Sequence, residues 1–310
     1  MNLVDVKFYQ LIQELKMLSN EQVFEKIKMC FMKLDKKTRE SFEDFFERFN
    51  YWGSLHSVEN DFEEIQRRAN SIFFHLQDFV WLYERLGDYR SKKLLYVILN
   101  NWYCYDFTEL KNCYDHMYPD YFDLDLVKCD EEEVLVDLGA FTGDTVLEYM
   151  KMYQKKYKKI YCYEITEESL ETLRNNLKGY PNIEIRNKAV IDQEKTVFIE
   201  KNLTGADGNK IENLRGGIKI NGVSLDEDIL EKVTTIKMDI EGSEQAALLG
   251  CKRHIQEDKP KLLLSVYHNH EDIWKIPRMI EEMQEGYRFY LRYHGGNYFP
   301  TEVTLIAICE

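Results

Sequence analysis

From residue 134 onward the chain alternates short apolar runs with amphipathic segments, and this alternation limits the folds that it can form. The apolar runs span residues 134–138, 160–163, 183–185, 233–238, 262–267 and 303–308. Helices are predicted between them, near 143–153, 166–177, 243–256 and 271–285. Strands that alternate with helices pair in parallel through crossover connections. The pattern therefore predicts an α/β fold with a mainly parallel sheet and helices on both faces.

The residues before this region have the apolar spacing of helices rather than strands. The apolar stripes are Phe8, Leu11, Leu15 and Leu18; Val23, Ile27, Phe31 and Leu34; Phe42, Phe45, Phe46 and Phe49; Ala69, Ile72, Phe73, Leu76, Val80 and Tyr83; and Leu94, Leu95 and Ile98. No glycine-rich loop or paired-carboxylate motif occurs there, so a helical bundle is favoured. Pro119 and the acidic run 130–133 interrupt the periodicity. We place the domain boundary here, with a helical domain over 1–127 and an α/β domain over 128–310.

Charge and composition narrow the choice of partners and compartment. The formal net charge of -14 would repel a phosphate backbone, so nucleic acid is not an expected partner. No apolar stretch is long enough to cross a bilayer, and the first ten residues lack the pattern of a signal peptide. Seven cysteines are scattered without metal-ligand spacing, which fits reduced thiols. We expect a cytoplasmic protein without a membrane partner and without a structural metal.

The first predicted strand ends in an acidic residue followed by a turn of small residues. Asp137 precedes the turn, and Gly139 and Gly143 let its backbone approach a ligand closely. The helix that follows offers free backbone N–H groups. A nicotinamide fingerprint would have glycine where Phe141 and Asp144 stand, which weakens that interpretation. A carboxylate beside the turn would repel a pyrophosphate and attract the ammonium of an amino-acid group.

A second carboxylate, Glu164, ends the next predicted strand, about 20 residues after the glycine turn. At this position a carboxylate can accept both hydroxyls of a ribose. The alternative is local capping of the following helix, to which Thr166 and Ser169 could also contribute. The combination with the turn favours the ligand interpretation.

Later strand ends add more polar side chains at the edge where parallel sheets bind ligands. Asp239, Glu241 and Glu244 follow the run 233–238. His268 directly follows the run 262–267 and is the better functional candidate, whereas His270 is interpreted as a structural residue. Acidic residues here could also serve only to complement a helix dipole, and Glu244 fits that interpretation best.

Six segments, taken together, resemble the FkbM family of class I S-adenosylmethionine-dependent methyltransferases. They are DLGAFTGDT (137–145), YCYE (161–164), NKAV (187–190), SLDE (224–227), IKMDIEGSE (236–244) and SVYH (265–268). The resemblance covers roughly residues 122–308. It implies the Rossmann-like class I fold, a mostly parallel seven-stranded sheet with helices on both faces, preceded by the α-helical domain. Residues 128–310 would then form the domain that binds S-adenosyl-L-methionine.

The resemblance also implies roles for particular residues. The turn residues Asp137, Gly139, Ala140 and Gly143 would hold the methionine part of the cofactor. Phe141 and Thr142 in the same turn would also bind the cofactor. Glu164 would hold the ribose, Asn187 and Ala189 would lie near the adenine, and Asp239 would close the pocket.

Family members typically methylate hydroxyl groups, so the resemblance implies O-methylation of a sugar, glycan or natural product. The Asp/Asn-Pro-Pro-aromatic motif of many amine and nucleobase methyltransferases is absent after the run 233–238, where Asp-Ile-Glu-Gly stands. The acceptor hydroxyl must lose a proton, and Asp239, Glu241 and His268 are the candidate bases. His268 is favoured because an unperturbed histidine pKa of about 6.5 suits a base near neutral pH. In the alternative, these carboxylates and His268 bind a divalent metal.

Two other functions remain open from the sequence. One is a nicotinamide-dependent oxidoreductase on a Rossmann-like fold, and the other is a noncatalytic binding protein with a remnant methyltransferase domain. The glycine-containing segment 201–222 is expected to form a flexible connection or hairpin over the site. The helical domain is expected to contribute to acceptor selection or to homodimer formation.

Overall fold

The structure, a computed structural model, describes residues 2–49, 52–199, 211–212 and 218–309. The chain forms two compact units. The first unit contains Met1–His116, Val266–Pro277 and Phe289–Thr304, and the second contains Met117–Ser265, Arg278–Arg288 and Leu305–Glu310. Two C-terminal segments therefore belong to the first unit. The domain boundary expected between residues 127 and 128 stays a prediction.

Six helices form most of the first unit. They are α1 (Leu3–Lys16), α2 (Asn20–Met32), α3 (Lys36–Arg48), α4 (Glu63–Phe74), α5 (Leu76–Arg85) and α6 (Tyr89–Cys104), with a short 3-10 turn at Lys111–Cys113. The predicted stripes supply buried residues in each helix, for example Phe8 in α1, Val23 in α2 and Phe46 in α3. A helical region at the start of the chain is thus present as its apolar spacing indicates.

Local capping explains where several of these helices begin. Asn2 and Asp5 form a reciprocal capping box at α1, and Ser19 and Gln22 form another at α2. The apolar stripe over residues 69–83 is divided between two helices, α4 and α5, which meet at His75. The period of apolar residues alone did not reveal this break.

The chain after residue 116 forms strands joined by helices. The strands are β1 (Val134–Leu138), β2 (Lys159–Tyr163), β3 (Ile183–Arg186), β4 (Ala189–Val190), β5 (Lys195–Ile199), β6 (Ile211–Glu212), β7 (Ile218–Val223), β8 (Thr235–Met238), β9 (Lys261–Ser265), β10 (Tyr287–Tyr293) and β11 (Val303–Cys309). The helices are α7 (Asp144–Met152), α8 (Glu167–Asn176), α9 (Leu225–Asp228), α10 (Glu244–Leu249) and α11 (Asp272–Met283), with a π-helical turn at His254–Asp258. The boundary between the units passes within α11, β10 and β11.

Seven of the strands form one sheet in the order β10-β11-β9-β8-β1-β2-β3. The central pairs β9–β8, β8–β1, β1–β2 and β2–β3 are parallel. Every residue of β1 and β8 is buried, as expected for the centre of a covered parallel sheet. The predicted fold class, a mostly parallel seven-stranded α/β sheet preceded by helices, is confirmed.

A smaller sheet, not predicted from the sequence, has the order β4-β7-β5-β6. Strands β5 and β7 pair antiparallel, as in a hairpin. Most of the segment predicted to be a connection or hairpin over the site, including Gly205, Gly208, Gly216 and Gly217, lies outside the described residues. Its proposed function as a lid is therefore not tested.

Among the residues that the structure describes, no helix is both long enough and apolar enough to span a membrane.

Candidate functional site

The turn after β1 packs its backbone against the end of β8. Gly139 has a φ of 79°, in the left-handed region that favours glycine. A Cβ atom at Gly139 would lie 1.9 Å from the backbone oxygen of Asp239, so no larger residue fits. The backbone N–H groups of Gly139 and Ala140 both donate to the carbonyl oxygen of Tyr163 at the end of β2. The turn is thus fixed between the two strands that flank β1 in the sheet.

The second half of the turn opens helix α7. Gly143, with a φ of 85°, is the N-cap residue, and no side chain caps the helix. Free N–H groups at such a helix start attract an anionic group such as a carboxylate. Phe141 is 37% exposed and has a φ of 44°. Thr142 is half-buried, and its carbonyl oxygen accepts a hydrogen bond from Asn176.

Glu164 connects the turn to the end of β2. One carboxylate oxygen, Oε2, accepts the backbone N–H of Phe141 at 2.9 Å. The other, Oε1, accepts the N–H groups of Ile165 and Thr166 at 2.8 Å and 2.7 Å. Both of these N–H groups lie before Glu167, the first residue of α8, and no side chain caps that helix. The same carboxylate also holds the glycine turn, which a simple helix cap would not do.

The two residues expected near an adenine differ in their surroundings. Asn187 is exposed, and its side-chain amide lies 3.4 Å from a carboxylate oxygen of Glu167 in the first turn of α8. Ala189 is buried in the smaller sheet, where it forms an apolar cluster with Ile191 and Val197. Only Asn187 thus presents an exposed side chain.

Asp137 already has a cationic partner. Its side chain is fully buried, and Oδ1 lies 3.1 Å from Nζ of Lys237 on the neighbouring strand β8. The same Nζ donates to the carbonyl oxygen of Gly139 at 2.9 Å. Burial raises the pKa of Asp137 to about 6, while the charge of Lys237 opposes that rise. Burial disfavours the charged form of Lys237, but Asp137 and Asp239 outweigh it and raise the lysine pKa.

Lys237 was not among the predicted site residues, although the sequence carries a signal for it. A lysine inside an apolar strand is seldom buried without a partner. Lys237 follows Ile236 and precedes Met238 in the run that forms β8, where all four residues are buried. Strands β1 and β8 are parallel neighbours, and their register puts Asp137 opposite Lys237, which explains the ion pair.

Asp239 follows β8 and is half-buried. Its Oδ2 accepts a hydrogen bond from the hydroxyl of Tyr121 at 2.9 Å. That hydroxyl also lies 3.0 Å from Oγ of Ser265 at the end of β9. Tyr121 lies 118 positions away in the chain, so no sequence pattern could have linked it to Asp239. The hydrogen bond fixes one oxygen of the candidate catalytic carboxylate.

The two acidic residues after Asp239 have different environments. Glu244 is buried, and its Oε1 accepts the backbone N–H of Ile240 at 2.9 Å, which supports the interpretation as a helix-terminal residue. Glu241 is half-buried and adopts a φ of 56° before Gly242, whose φ is 90°. A left-handed non-glycine residue followed by a left-handed glycine marks a tight turn of constrained backbone.

His268 belongs to the first unit. It is buried, and its ring lies 4.2 Å from that of Tyr267, centroid to centroid. The structure thus brings together, within the second unit, Gly139 with Asp239 and Phe141 with Glu164. The roles predicted for Asp239, Glu241 and His268 as bases, for a divalent metal, and for each cofactor-binding residue stay predictions.

The sheet order, the small-residue turn after β1 and the strand-end carboxylate after β2 define a methyltransferase of the class I fold. The FkbM methyltransferase domain model matches residues 137–293, about half of the chain. The chain therefore belongs to the FkbM methyltransferase family, as its motifs indicate.

The chain is also similar to several solved structures. The methyltransferase FkbM from Methylobacillus flagellatus KT has a TM-score of 0.63 and 25% identity, and the match covers 77% of this chain and 62% of that chain. This chain thus spans less than two thirds of that protein. An rRNA methylase from Streptococcus thermophilus has a TM-score of 0.39 at 17% identity, over 59% of this chain and 89% of its own. Fibrillarin from Aeropyrum pernix, solved with natively bound S-adenosyl-L-methionine, has a TM-score of 0.37 at 14% identity, over 58% of this chain and 67% of its own. No curated protein matches the sequence.

Proposed function

We propose that this protein is an S-adenosylmethionine-dependent O-methyltransferase whose acceptor is a hydroxyl on a sugar, glycan or natural product. The observation that carries the cofactor assignment is the hydrogen bond between the backbone N–H of Phe141 and Glu164. It places a glycine turn, a helix N-terminus and a strand-end carboxylate in one small region of the second unit. A nucleoside that carries an amino acid needs these three features together.

The donor and acceptor groups present fit this cofactor with one condition. An ionised carboxylate has about four acceptor positions. Glu164 uses three of them for backbone N–H groups. To accept both ribose hydroxyls, it would have to release one of these bonds. The bond to Phe141 is the expected one, because the other two join Glu164 to the backbone of the residues that directly follow it, Ile165 and Thr166.

Lys237 would position the turn without contacting the acceptor. Its ammonium holds the carbonyl oxygen of Gly139 and neutralises Asp137. Asp137 would then act on the cofactor through Lys237, and the ammonium of the bound amino acid would rely on other acceptors.

When bound, S-adenosylmethionine supplies a methyl group that is already activated as an electrophile. The protein must orient the acceptor hydroxyl and accept its proton. Asp239 is suited to this task because Tyr121 donates to Oδ2 and so holds that oxygen in place. Glu241 and His268 are the alternative bases. The lack of an Asp/Asn-Pro-Pro-aromatic motif at residues 239–242 supports a hydroxyl rather than a nucleobase amine as the acceptor.

Calorimetric titration of the full chain with S-adenosylhomocysteine tests the cofactor assignment. We expect binding by the native chain and at least about tenfold weaker binding by Glu164→Gln, because charge-assisted hydrogen bonds to the ribose are weakened. Glu167→Gln is the matched control, since Glu167 is an exposed glutamate three residues further along. Binding of NAD instead would favour the oxidoreductase, and binding of neither would favour the remnant domain.

Methyl transfer itself requires an acceptor screen. The full chain would be incubated with S-adenosylmethionine carrying a radioactive methyl group and a set of hydroxylated glycans and natural products. Label in a base-stable ether linkage would support O-methylation. An Asp239→Asn variant that binds S-adenosylhomocysteine normally but transfers no label would support Asp239 as the base, whereas full activity would leave Glu241 or His268.

A further inference from the structure

A cavity of about 270 Å³ lies within the first unit. Its wall includes Trp52, Asn70, Phe74, Asn269 and His270. Small-molecule sites usually have volumes of about 300–1,000 Å³, so this cavity suits a ligand at the small end of that range.

One wall residue, His270, is held by a buried charged network. His270 is only 6% exposed, and its Nε2 lies 3.1 Å from Oε1 of Glu64. Oε2 of Glu64 accepts a hydrogen bond from Arg68 at 2.8 Å, and both side chains of that ion pair are fully buried. Burial opposes ionisation of Glu64, but Arg68 and His270 outweigh it and lower the carboxyl pKa. Glu64 is therefore an anionic acceptor that requires a proton on Nε2 of His270.

This arrangement fixes the tautomer of His270. Burial lowers the pKa of His270, so the ring is neutral near pH 7. With its proton on Nε2, the ring carries a lone pair on Nδ1. Nδ1 has no hydrogen-bond partner within the described part of the chain. This atom is also not fully enclosed by the protein. A hydrogen-bond acceptor therefore opens on the cavity from an otherwise buried side chain.

Two amides of the wall add a donor and an acceptor. Oδ1 of Asn70 accepts hydrogen bonds from Asn20 and Gln66, so its amide nitrogen remains available as a donor. Nδ2 of Asn269 donates to Asp272 at 2.9 Å, so its amide oxygen remains available as an acceptor.

Aromatic groups and compensated charges complete the wall. Phe74 is 65% exposed and offers an apolar ring face, and Trp52 lines the interior. The charged wall residues already have partners: Arg67 pairs with Glu63, and Glu271 pairs with Lys275. The wall thus presents hydrogen-bonding groups and one exposed aromatic ring, that of Phe74, without a net charge.

We propose that this cavity binds a neutral, polyhydroxylated small molecule about the size of one sugar ring, with a hydroxyl that donates to Nδ1 of His270. Aromatic faces pack on the apolar faces of such rings, and fixed donors and acceptors pair with their hydroxyls. This site is separate from the cofactor assignment and does not depend on methyl transfer.

The test is an NMR titration of the full chain, labelled with ¹⁵N in its histidines, with D-glucose and N-acetyl-D-glucosamine. D-glucose 6-phosphate serves as the charged counterpart. We expect at least one neutral sugar to shift the Nδ1 resonance of His270 in a saturable manner and to receive saturation transfer from the protein. Asn269→Ala should weaken that binding about fivefold, the effect of losing one hydrogen bond of about 1 kcal/mol.

Two controls separate this site from other causes. Asn112→Ala removes an exposed amide of the first unit that does not line the cavity, and it should leave the affinity unchanged. Glu164→Gln, which weakens the proposed cofactor site, should also bind the sugar normally. Failure of the methyltransferase proposal would thus leave this result intact.

Three outcomes would overturn the proposal. These are no saturable shift of Nδ1 with either neutral sugar, binding of the phosphorylated sugar alone, or unchanged affinity in Asn269→Ala. His270→Phe should abolish binding; if this variant does not fold, the titration of the native chain and of Asn269→Ala decides the question.

Discussion

Replacing Lys237 with methionine should destabilise the second unit strongly. The substitution keeps an unbranched side chain of similar length but removes the ammonium. Asp137 would then be a fully buried carboxyl without its cation. The carbonyl oxygen of Gly139 would lose its hydrogen bond from Nζ.

The expected loss can be worked out from two contributions. With Lys237 present, the pKa of Asp137 is about 6, so the carboxyl is mostly charged at pH 7. Without the lysine the carboxyl becomes protonated. Protonating a carboxyl with a pKa of about 6 at pH 7 costs about 1.4 kcal/mol, because one pH unit separates the two values. The lost hydrogen bond from a charged donor adds about 1.5–3 kcal/mol. The sum of about 3–4 kcal/mol agrees with the roughly 3–5 kcal/mol lost when one partner of a buried ion pair is removed.

Urea denaturation at pH 7, together with hydrogen exchange of the β1 and β8 amides, would measure this loss. Lys195→Met is the matched control, because Lys195 pairs with Asp192 at the surface, where the two side chains are 43% and 38% exposed. This control should change the stability by less than about 1 kcal/mol. The double variant Asp137→Asn with Lys237→Met should be more stable than Lys237→Met by at least about 1.4 kcal/mol. A loss below about 1 kcal/mol in Lys237→Met, or no recovery in the double variant, would refute the reasoning.

Three further outcomes are expected. Because the pKa of Asp137 is raised from 3.8 to about 6, its contribution to stability is fully present below pH 3.8 and is lost as the pH rises through 6. The free energy of unfolding of the native chain, relative to that of Asp137→Asn, should therefore fall by up to about 3 kcal/mol between pH 4 and 7. Urea denaturation would measure this difference, and a difference that does not change with pH would contradict the expectation. Gly139→Ala should prevent folding of the turn, because its Cβ would lie 1.9 Å from a backbone oxygen. Gly179→Ala is the control, because Gly179 also has a left-handed φ but no atom lies near its Cβ position, and this variant should lose only about 1–2 kcal/mol of stability. Equal losses of stability in thermal melts of the two variants would argue against the clash. Arg68→Met should cost about 3–5 kcal/mol because it leaves the buried carboxylate of Glu64 without its arginine partner, whereas Arg67→Met, next to it in an exposed pair, should cost less than about 1 kcal/mol; chemical denaturation of the two variants would show whether burial makes the difference.

Much of the fold could be predicted because it is encoded locally. The run 134–138 became β1 with the same bounds, and the other five runs became strands within a few residues. Burial on both faces makes the central strands of a parallel sheet almost continuously apolar, so they are visible in a single sequence. The strands of the smaller sheet and β10 were missed. Strand β7 mixes exposed and buried residues over six positions, and such short patterns are ambiguous.

The candidate site divides in the same way between local and distant information. The turn at Gly139 and the carboxylate of Glu164 were predicted, since a turn and a strand end are set by neighbouring residues. The hydrogen bond between them, the pairing of Lys237 with Asp137 and the contact of Tyr121 with Asp239 were not. Each joins residues from 23 to 118 positions apart, which only the strand order and register bring together.

The sequence alone determined where most strands of the large sheet, the helices between them and the glycine turn form, because side-chain period and glycine placement act over a few residues. It also determined the family, because the motifs lie in order along the chain. The tertiary structure decided which charges are compensated: Asp137 by Lys237, and Glu64 by Arg68 and His270. A buried charge is stable only beside its partner, and that partner is chosen by the packing of strands and helices that are far apart in the chain.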